Sequence, residues 1–379
     1  MSLQLTDEQH SMVATVRDFA ARECGTREKR LELTNGGTTH HNPETARKLA
    51  DLGFLGLSIP EEYGGAGGSL FDACLLVEEI AYNQIPVGSF AVTLIVSHMY
   101  LNFASEELKK EILADVVAGG ATAVAMSEPG SGSDVASLRC KAEKVDGGYR
   151  LNGQKMWISN AHYSDHILLV ARTSDTGDKH QGISMISVPT SARGVEIRPI
   201  PTMGAEVNDV FFTDCEIGPE RLVGIEDQGW AQLIAGLNTE RVIVGALALG
   251  QARRAFDDTL NYVKTRQQFG RPVGTFQALS HRLADLATEI ECTRLLVHDV
   301  AQRVDENPGR LMPQEASMVK LKATELAKRV ALEGVQMMGG MGYAVEGGME
   351  EQLRATVVGT VVGGSSEIQR DIIAKTLGI

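Results

Sequence analysis

The sequence predicts an α+β protein in three segments: an N-terminal all-α domain over 1–120, a middle β-barrel or sandwich domain over 121–229 and a C-terminal four-helix bundle over 230–379. Apolar residues recur at helical spacing through the first third and again from Trp230 onward. Between these regions lie short apolar or alternating runs, separated by Gly, Asn and Asp at turn positions. A chain of 379 residues is long enough for two or three such domains, each with its own core.

Thr6 and Gln9 have capping-box spacing, so a helix should start near Asp7 and run to about Arg22. Asn42-Pro43 starts another, with Ala46, Leu49 and Ala50 on its apolar face. Residues 59–68, IPEEYGGAGG, read as a flexible connector. They lack the GxGxxG order and do not lie between a strand and a helix, which excludes a Rossmann dinucleotide loop. Ser69 caps a helix to about Ile80, and two more helices cover 88–102 and 105–118. From Ala121 strands are expected at 123–127, 149–151, 155–159, 166–171, 183–188 and 210–213. Asp146-Gly147-Gly148 and Asn152-Gly153 read as hairpin turns. Beyond Trp230, Val242, Leu249, Phe256, Leu260 and Val263 fall at sevens, fours and threes, and Phe276, Leu279, Leu283, Leu286, Ile290, Val297 and Val300 do the same. Helices at 315–338 and 366–377 complete a set that packs as an antiparallel bundle.

A net charge of -13 argues against nucleic acid or an anionic membrane surface as partner. Cys24, Cys74, Cys140, Cys215 and Cys292 are widely spaced and form no CxxC pair. They read as reduced, buried thiols in a cytoplasmic setting, not as a metal site or a disulfide framework. Residues 1–13, MSLQLTDEQHSMV, lack the basic start and apolar core of a leader, and no apolar run reaches bilayer-spanning length.

Two stretches carry the chemistry. Residues 125–137, AMSEPGSGSDVAS, set Gly130, Ser131, Gly132 and Ser133 in a row between Glu128 and Asp134. Glycine lets backbone N–H groups approach a ligand and Ser adds hydroxyl donors, which suits a diphosphate or the polar edge of a flavin. Residues 155–160, KMWISN, place the flat ring of Trp157 two residues from the Ser159 hydroxyl, one able to cover an aromatic cofactor and the other to donate to it. Taken singly, the first is also a surface turn and the second a core tryptophan. Together with TRQQFGRPVGTFQ at 265–277 and the helical, β, helical order, they resemble the acyl-CoA dehydrogenase family over essentially the whole chain.

The resemblance implies FAD-dependent α,β-dehydrogenation of an acyl-CoA thioester, electrons passed to an electron-transferring flavoprotein, and a homotetramer built as a dimer of dimers. That chemistry needs a base for the α proton, a flavin to take the β hydride at N5 and donors for the charge developing on the thioester oxygen. The resemblance assigns Met126 and Ser127 to the flavin ring, Gly132 and Ser133 to its polar side, and Trp157 and Ser159 to covering the ring and donating to its edge. Arg266, Phe269 and Gln277 match the segment that reaches the FAD of a neighbouring subunit, where a guanidinium fork suits a diphosphate. Gln336, Gly340, Ser365 and Glu367 match contacts to the ribose and adenine end. Residues 266–270 also read as a helix C-terminus closed by Gly270.

In much of the family the base is a Glu just before a Gly-Thr/Ser pair near the C-terminus. The matching position here is Gly363, in VGGSSEIQR, which has no side chain, and Glu367 reads as the start of the last helix. In the isovaleryl and long-chain branches the base lies in a Glu-Arg pair on the first helix of the C-terminal bundle, and Glu240-Arg241 match that pair. Glu240 is therefore the candidate catalytic residue; without the resemblance it is a solvated carboxylate early in a helix. In an apolar cleft its pKa should rise, with Arg241 pulling the other way. Ser133, Asn238, Arg241 and Gly363 are the candidate substrate contacts. Ala355 stands where many relatives carry Asp, and Val362 where an aromatic often lies, so a longer, branched or bulky acyl group is expected. The alternatives keep the fold: a carrier-bound acyl thioester, a reductase or monooxygenase, or a non-catalytic subunit of a mixed oligomer. With the sequence ending at Ile379, an aliphatic acyl-CoA oxidase, which carries an extra C-terminal domain, is not expected.

Overall fold

The computed structural model describes residues 5–379, so the first four residues of the stretch read as free of a leader lie outside it. Six helices come first: α1 (Asp7–Cys24), α2 (Arg27–Leu33), α3 (Pro43–Asp51), α4 (Leu70–Tyr82), α5 (Phe90–Phe103) and α6 (Glu106–Val117). Eight strands follow: β1 (Thr122–Ala125), β2 (Lys141–Val145), β3 (Gly148–Ser159), β4 (His166–Arg172), β5 (Ile183–Pro189), β6 (Val195–Ile200), β7 (Val207–Ile217) and β8 (Leu222–Val223). The rest comprises α7 (Gly229–Thr265), the short strands β9 (Gln267–Gln268) and β10 (Arg271–Pro272), α8 (Gln277–Glu306), α9 (Pro313–Met338), α10 (Gly340–Tyr343), α11 (Met349–Val357) and α12 (Ser366–Thr376). This is the α+β order of helical, sheet and helical segments that the sequence predicts.

Local chemistry sets the helix starts. The Thr6 hydroxyl accepts from the Gln9 amide while the Gln9 side chain accepts from the Thr6 amide, and Ser69 and Asp72 repeat the arrangement at α4. Asn42 accepts from the Thr45 amide, with Pro43 as the first helical residue of α3. Each cap satisfies donors that a helix start leaves free. Helix α2 escapes sequence reading because it buries no residue and so has no apolar stripe. The connector at 59–68 is packed against the helical segment: Tyr63 is buried and donates to Glu106 at 2.8 Å, and a Cβ on Gly65 would stand 2.0 Å from the Ile59 carbonyl oxygen.

The chain divides into two compact units that cut across the sequence segments. One holds residues 34–68 and 86–237, the other 1–33, 69–85 and 238–379. In the first, the strands form one mixed sheet in the order β6-β7-β3-β2-β4-β5-β8. β1 runs parallel along the first half of β4, and β2 meets β4 only at Arg172, so the sheet divides there. Its two parts enclose a single core that includes Ala123, Leu151, Ile167, Ile186, Val210 and Phe212. Asn152-Gly153 is not a turn but lies within β3, where the pairing with β7 shifts register between Leu151 and Gly153. The bulge brings the backbone against β2's approach: a Cβ on Gly153 would stand 2.8 Å from Cys140 Cα. Tyr100 of α5 is fully buried and donates to Ser187 of β5 at 2.8 Å.

In the second unit α1 and α4 pack with the C-terminal helices around paired charges. Arg17 forks onto Glu79 at 2.7 and 2.8 Å, Arg253 bonds Glu78 and Glu79, and His298 of α8 meets Glu78 at 2.8 Å. Buried charges are tolerated here because each has a partner of opposite sign or a hydrogen bond. Helix α7 corrects the reading that no apolar run reaches bilayer length: one stretch passes by length and composition, but 56% of it is buried inside the protein, as in a core helix. Four cysteines are buried free thiols, as expected; Cys292, on α8, is exposed.

Candidate active site

The loop after β1 is built on a buried ion pair. Lys155 of β3, fully buried, donates from Nζ to the Met126 carbonyl and to Glu128 Oε1, both at 2.8 Å. Glu128 also accepts from the Arg139 and Cys140 amides at 2.7 and 2.8 Å. Burial pushes the Glu128 carboxyl up, but Lys155 and the two amides outweigh it and hold the carboxyl below its ordinary value. Burial also lowers Lys155. Glu128 and Ser131 exchange backbone hydrogen bonds at 2.9 and 3.1 Å, closing a tight turn, and the Met156 amide donates to the Ser127 carbonyl at 2.8 Å. Met126 and Ser127 are thereby fixed beside the strand that carries Trp157, with Gly132 and Ser133 exposed on the loop. Sequence reasoning missed the supporting pair; its signal is a lysine at a strand position just before the apolar run Met156-Trp157-Ile158.

Trp157 is not a core residue. It is 53% exposed, and its backbone is left-handed at φ 66°, which a bulky residue adopts only where its surroundings impose it. It falls in the second register shift of β3 against β7, between Lys155 and Ile158, which turns the indole out of the strand alternation. Ser159 is half-buried at the end of the same strand.

In the other unit Glu240 lies about three turns into α7, not at its start, so the helix dipole gives no account of it. It keeps a small exposed face, but desolvation raises its carboxyl above the ordinary value, and Arg241 and Lys320 oppose this without cancelling it. Arg241 is buried, donates to Asn238 at 3.4 Å and leaves Nε unpartnered. Gly363 and Gly364 are both left-handed, at φ 63° and 81°, and form a turn whose two carbonyls accept from Gln369 at 2.9 Å. A Cβ on Gly363 would stand 3.3 Å from Glu240 Oε1. The structure thus brings Asn238, Glu240, Arg241 and Gly363 together. Val362, beside them, is exposed.

The remaining candidates lie elsewhere in this unit. Helix α7 ends at Thr265, and Phe269 and Gly270, at φ 52° and 78°, are the turn of the β9–β10 hairpin. Residues 266–270 are therefore not a glycine-closed helix end: two successive left-handed residues make the hairpin. Phe269 is 93% exposed at its tip, and Arg266 and Gln277 are exposed on either side of it in the chain. Gln336 is exposed in the last turn of α9 and Gly340 opens α10. Ser365 caps α12, and Glu367 is exposed in its first turn.

Family models for the acyl-CoA dehydrogenase N-terminal, middle and C-terminal domains match residues 6–120, 123–215 and 227–378. The chain belongs to the acyl-CoA dehydrogenase family. A probable acyl-CoA dehydrogenase of Bacillus subtilis, YngJ, is 35% identical over all of both chains. The mitochondrial isovaleryl-CoA dehydrogenase of Arabidopsis thaliana is 32% identical, covering 99% of this chain and 92% of its own. Among solved structures, an acyl-CoA dehydrogenase from Geobacillus kaustophilus superposes with a TM-score of 0.94 at 32% identity over the full length of both.

Acyl-CoA dehydrogenases are FAD-dependent oxidoreductases. The residues here fit that group. Trp157 offers an exposed flat face in a conformation that costs energy to hold. Ser131 has a buried hydroxyl without a partner, and Cβ atoms on Gly130 and Gly132 would meet nothing within 4 Å, so the loop backbone is open to a ligand.

Proposed function

We propose that the protein catalyses α,β-dehydrogenation of an acyl-CoA thioester, with Glu240 as the base. The observation that carries this reading is a carboxylate withdrawn from solvent, raised above its ordinary pKa and set against the empty Gly363 turn. A base of raised pKa lies nearer the working pH and takes a proton more effectively from a weak carbon acid. Glu240 accepts the α proton on its carboxylate, and Arg241 and Lys320 favour the ionised form it needs beforehand. FAD, when bound, supplies the acceptor for the β hydrogen, which leaves as hydride. Met126, Ser127, Gly132, Ser133, Trp157 and Ser159 would hold its ring system. Arg266, Phe269, Gln277, Gln336, Gly340, Ser365 and Glu367 would hold its diphosphate, ribose and adenine, the first three from a neighbouring subunit of a homotetramer. Ser133, Asn238, Arg241 and Gly363 would line the acyl-CoA. An electron-transferring flavoprotein is the proposed acceptor, and the five free thiols support a reducing, cytoplasmic setting.

The absent side chain at Gly363, with Ala355 and Val362 nearby in sequence, supports a branched or bulky acyl group. The test is an anaerobic titration of the flavin absorbance with straight, branched and aromatic acyl-CoAs, repeated with Glu240→Gln. Bleaching by branched or bulky acyl-CoAs, lost in Glu240→Gln with FAD retained, is the expected result. A strong preference for butyryl-CoA overturns the substrate class. Bleaching by a carrier-bound thioester and by no acyl-CoA moves the substrate to a carrier protein.

A further inference from the structure

One buried charge near Glu240 has a contact that its pull on the carboxylate does not explain. Lys320 of α9 is fully buried and donates from Nζ to the Gly364 carbonyl at 2.8 Å. Burying an ammonium costs several kcal/mol unless it is paired, and a carbonyl alone compensates little. An apolar side chain of the same length would fill this place at lower cost if packing were its task. Its surroundings point to another one. The Cβ position of Gly363 lies 4.0 Å from Lys320 Cε and 3.3 Å from Glu240 Oε1, so the lysine and the carboxylate flank the same small volume from two helices.

We propose that Lys320 is a positioning residue for proton abstraction: its ammonium anchors the Gly363–Gly364 turn beside Glu240 and, together with Arg241, favours the ionised carboxylate before each turnover. This rests on the assignment of Glu240 as the base. The charged groups that act on Lys320 are Glu240 and Arg241 on α7, Glu325 on its own helix and Glu367 on α12. Glu325 is engaged by Arg370 at 2.7 Å, and Glu367 is exposed. Arg241, the second cation, bonds Asn238 on its own helix. Lys320 bonds the turn that Gln369 also holds, and its side chain flanks the same volume as the carboxylate. Burial pushes Lys320 down to about 8 against the pull of Glu240, so it carries its charge at neutral pH and sheds it in mild alkali.

The test compares wild type, Lys320→Met and Lys320→Arg in two ways. The first is the pH profile of kcat/KM for the acyl-CoA that bleaches the flavin. The second, independent of turnover, is a 13C NMR titration of carboxyl-labelled glutamate, with the Glu240 signal identified by its absence in Glu240→Gln. In Lys320→Met the acid limb and the NMR midpoint should both move up by about 1 pH unit, because loss of a nearby cation leaves desolvation less opposed. Lys320→Arg, which keeps the charge, should hold both near the wild-type position. Lower activity in Lys320→Met with both midpoints unmoved overturns the proposal. If Lys320→Met does not fold, the wild-type protein still decides: the Glu240 signal should show a second inflection near pH 8 as Lys320 titrates, and its absence overturns the coupling. Full turnover in Glu240→Gln with a shifted NMR midpoint in Lys320→Met would remove the base assignment and leave the coupling standing.

Discussion

Glu240 Oε1 lies 3.3 Å from the point at which a Cβ on Gly363 would stand. Glu240, the proposed base, and Gly363 therefore border one volume. Gly363→Glu should cripple the wild-type enzyme, because a second carboxylate would crowd Glu240 and strain a backbone held at φ 63°. Glu240→Gly alone should lower turnover by about 10²- to 10⁴-fold, the usual worth of a general base. Combining the two changes should recover at least about tenfold of that loss, since the new carboxylate inherits the vacated space. Stopped-flow flavin bleaching measures all three variants. A double variant as inert as Glu240→Gly would show that the two positions do not substitute for one another.

The burial that raises the Glu240 carboxyl works against stability. The folded protein binds a proton at this carboxyl more tightly than the unfolded chain does, because burial outweighs Arg241 and Lys320. Ionised Glu240 therefore destabilises the fold above its raised pKa, and the penalty disappears below its unfolded value. Glu240→Gln removes the charge and keeps the shape. It should melt higher than wild type at pH 8, with the gap narrowing as the pH falls toward 5. A lower melting temperature at pH 8, followed by calorimetry, would mean the charge is fully compensated in the fold.

Features fixed within a few residues were legible in the sequence. The caps at Thr6, Asn42 and Ser69 depend on neighbours three positions away, and each was found where its spacing put it. Features fixed by distant chain were not. Asn152-Gly153 has the composition of a hairpin turn, and only the strand opposite makes it a bulge. Residues 266–270 read as a helix end in sequence because nothing local reveals that Gln267–Gln268 pairs with Arg271–Pro272. Lys155 and Lys320 are ordinary lysines until the fold buries them beside Glu128 and Glu240. Glu240 itself is one polar residue in a long helix; its burial comes from α9 and the turn before α12, and the family resemblance singled it out.

The pair beneath the 126–133 loop should be the acid-sensitive support of the sheet-bearing unit. Removing one partner of a buried ion pair costs about 3–5 kcal/mol, because the other charge stays behind uncompensated. Lys155→Met should lose about that much stability in urea unfolding and weaken FAD binding as the loop loosens. Lys155→Met combined with Glu128→Gln should lose less, since no lone charge remains. Glu128 is held below its ordinary pKa, so its contribution is present above pH 4.5 and fades as the pH falls through its lower folded value. Equal losses in the single and double variants would show that packing, not charge, fixes the loop.

Trp157 offers the most direct test of where the flavin ring sits. The protein has two tryptophans, and Trp230 is half-buried with its ring 5.0 Å from that of His180. In Trp230→Phe the remaining emission comes from Trp157, whose exposed indole should emit at the long wavelength of a solvated ring. Adding FAD to the stripped protein should quench most of that emission and shift what is left to shorter wavelength, as a flavin covers the ring. Trp157→Ala should weaken FAD binding by roughly tenfold, from about 0.5–1.5 kcal/mol of aromatic contact together with the lost apolar burial. Trp157→Phe, which keeps a ring at the same strained position, should retain most of the affinity. Emission from Trp157 that does not respond to FAD, with affinity unchanged in Trp157→Ala, would put the ring elsewhere and leave the left-handed backbone at Trp157 without a role in cofactor binding.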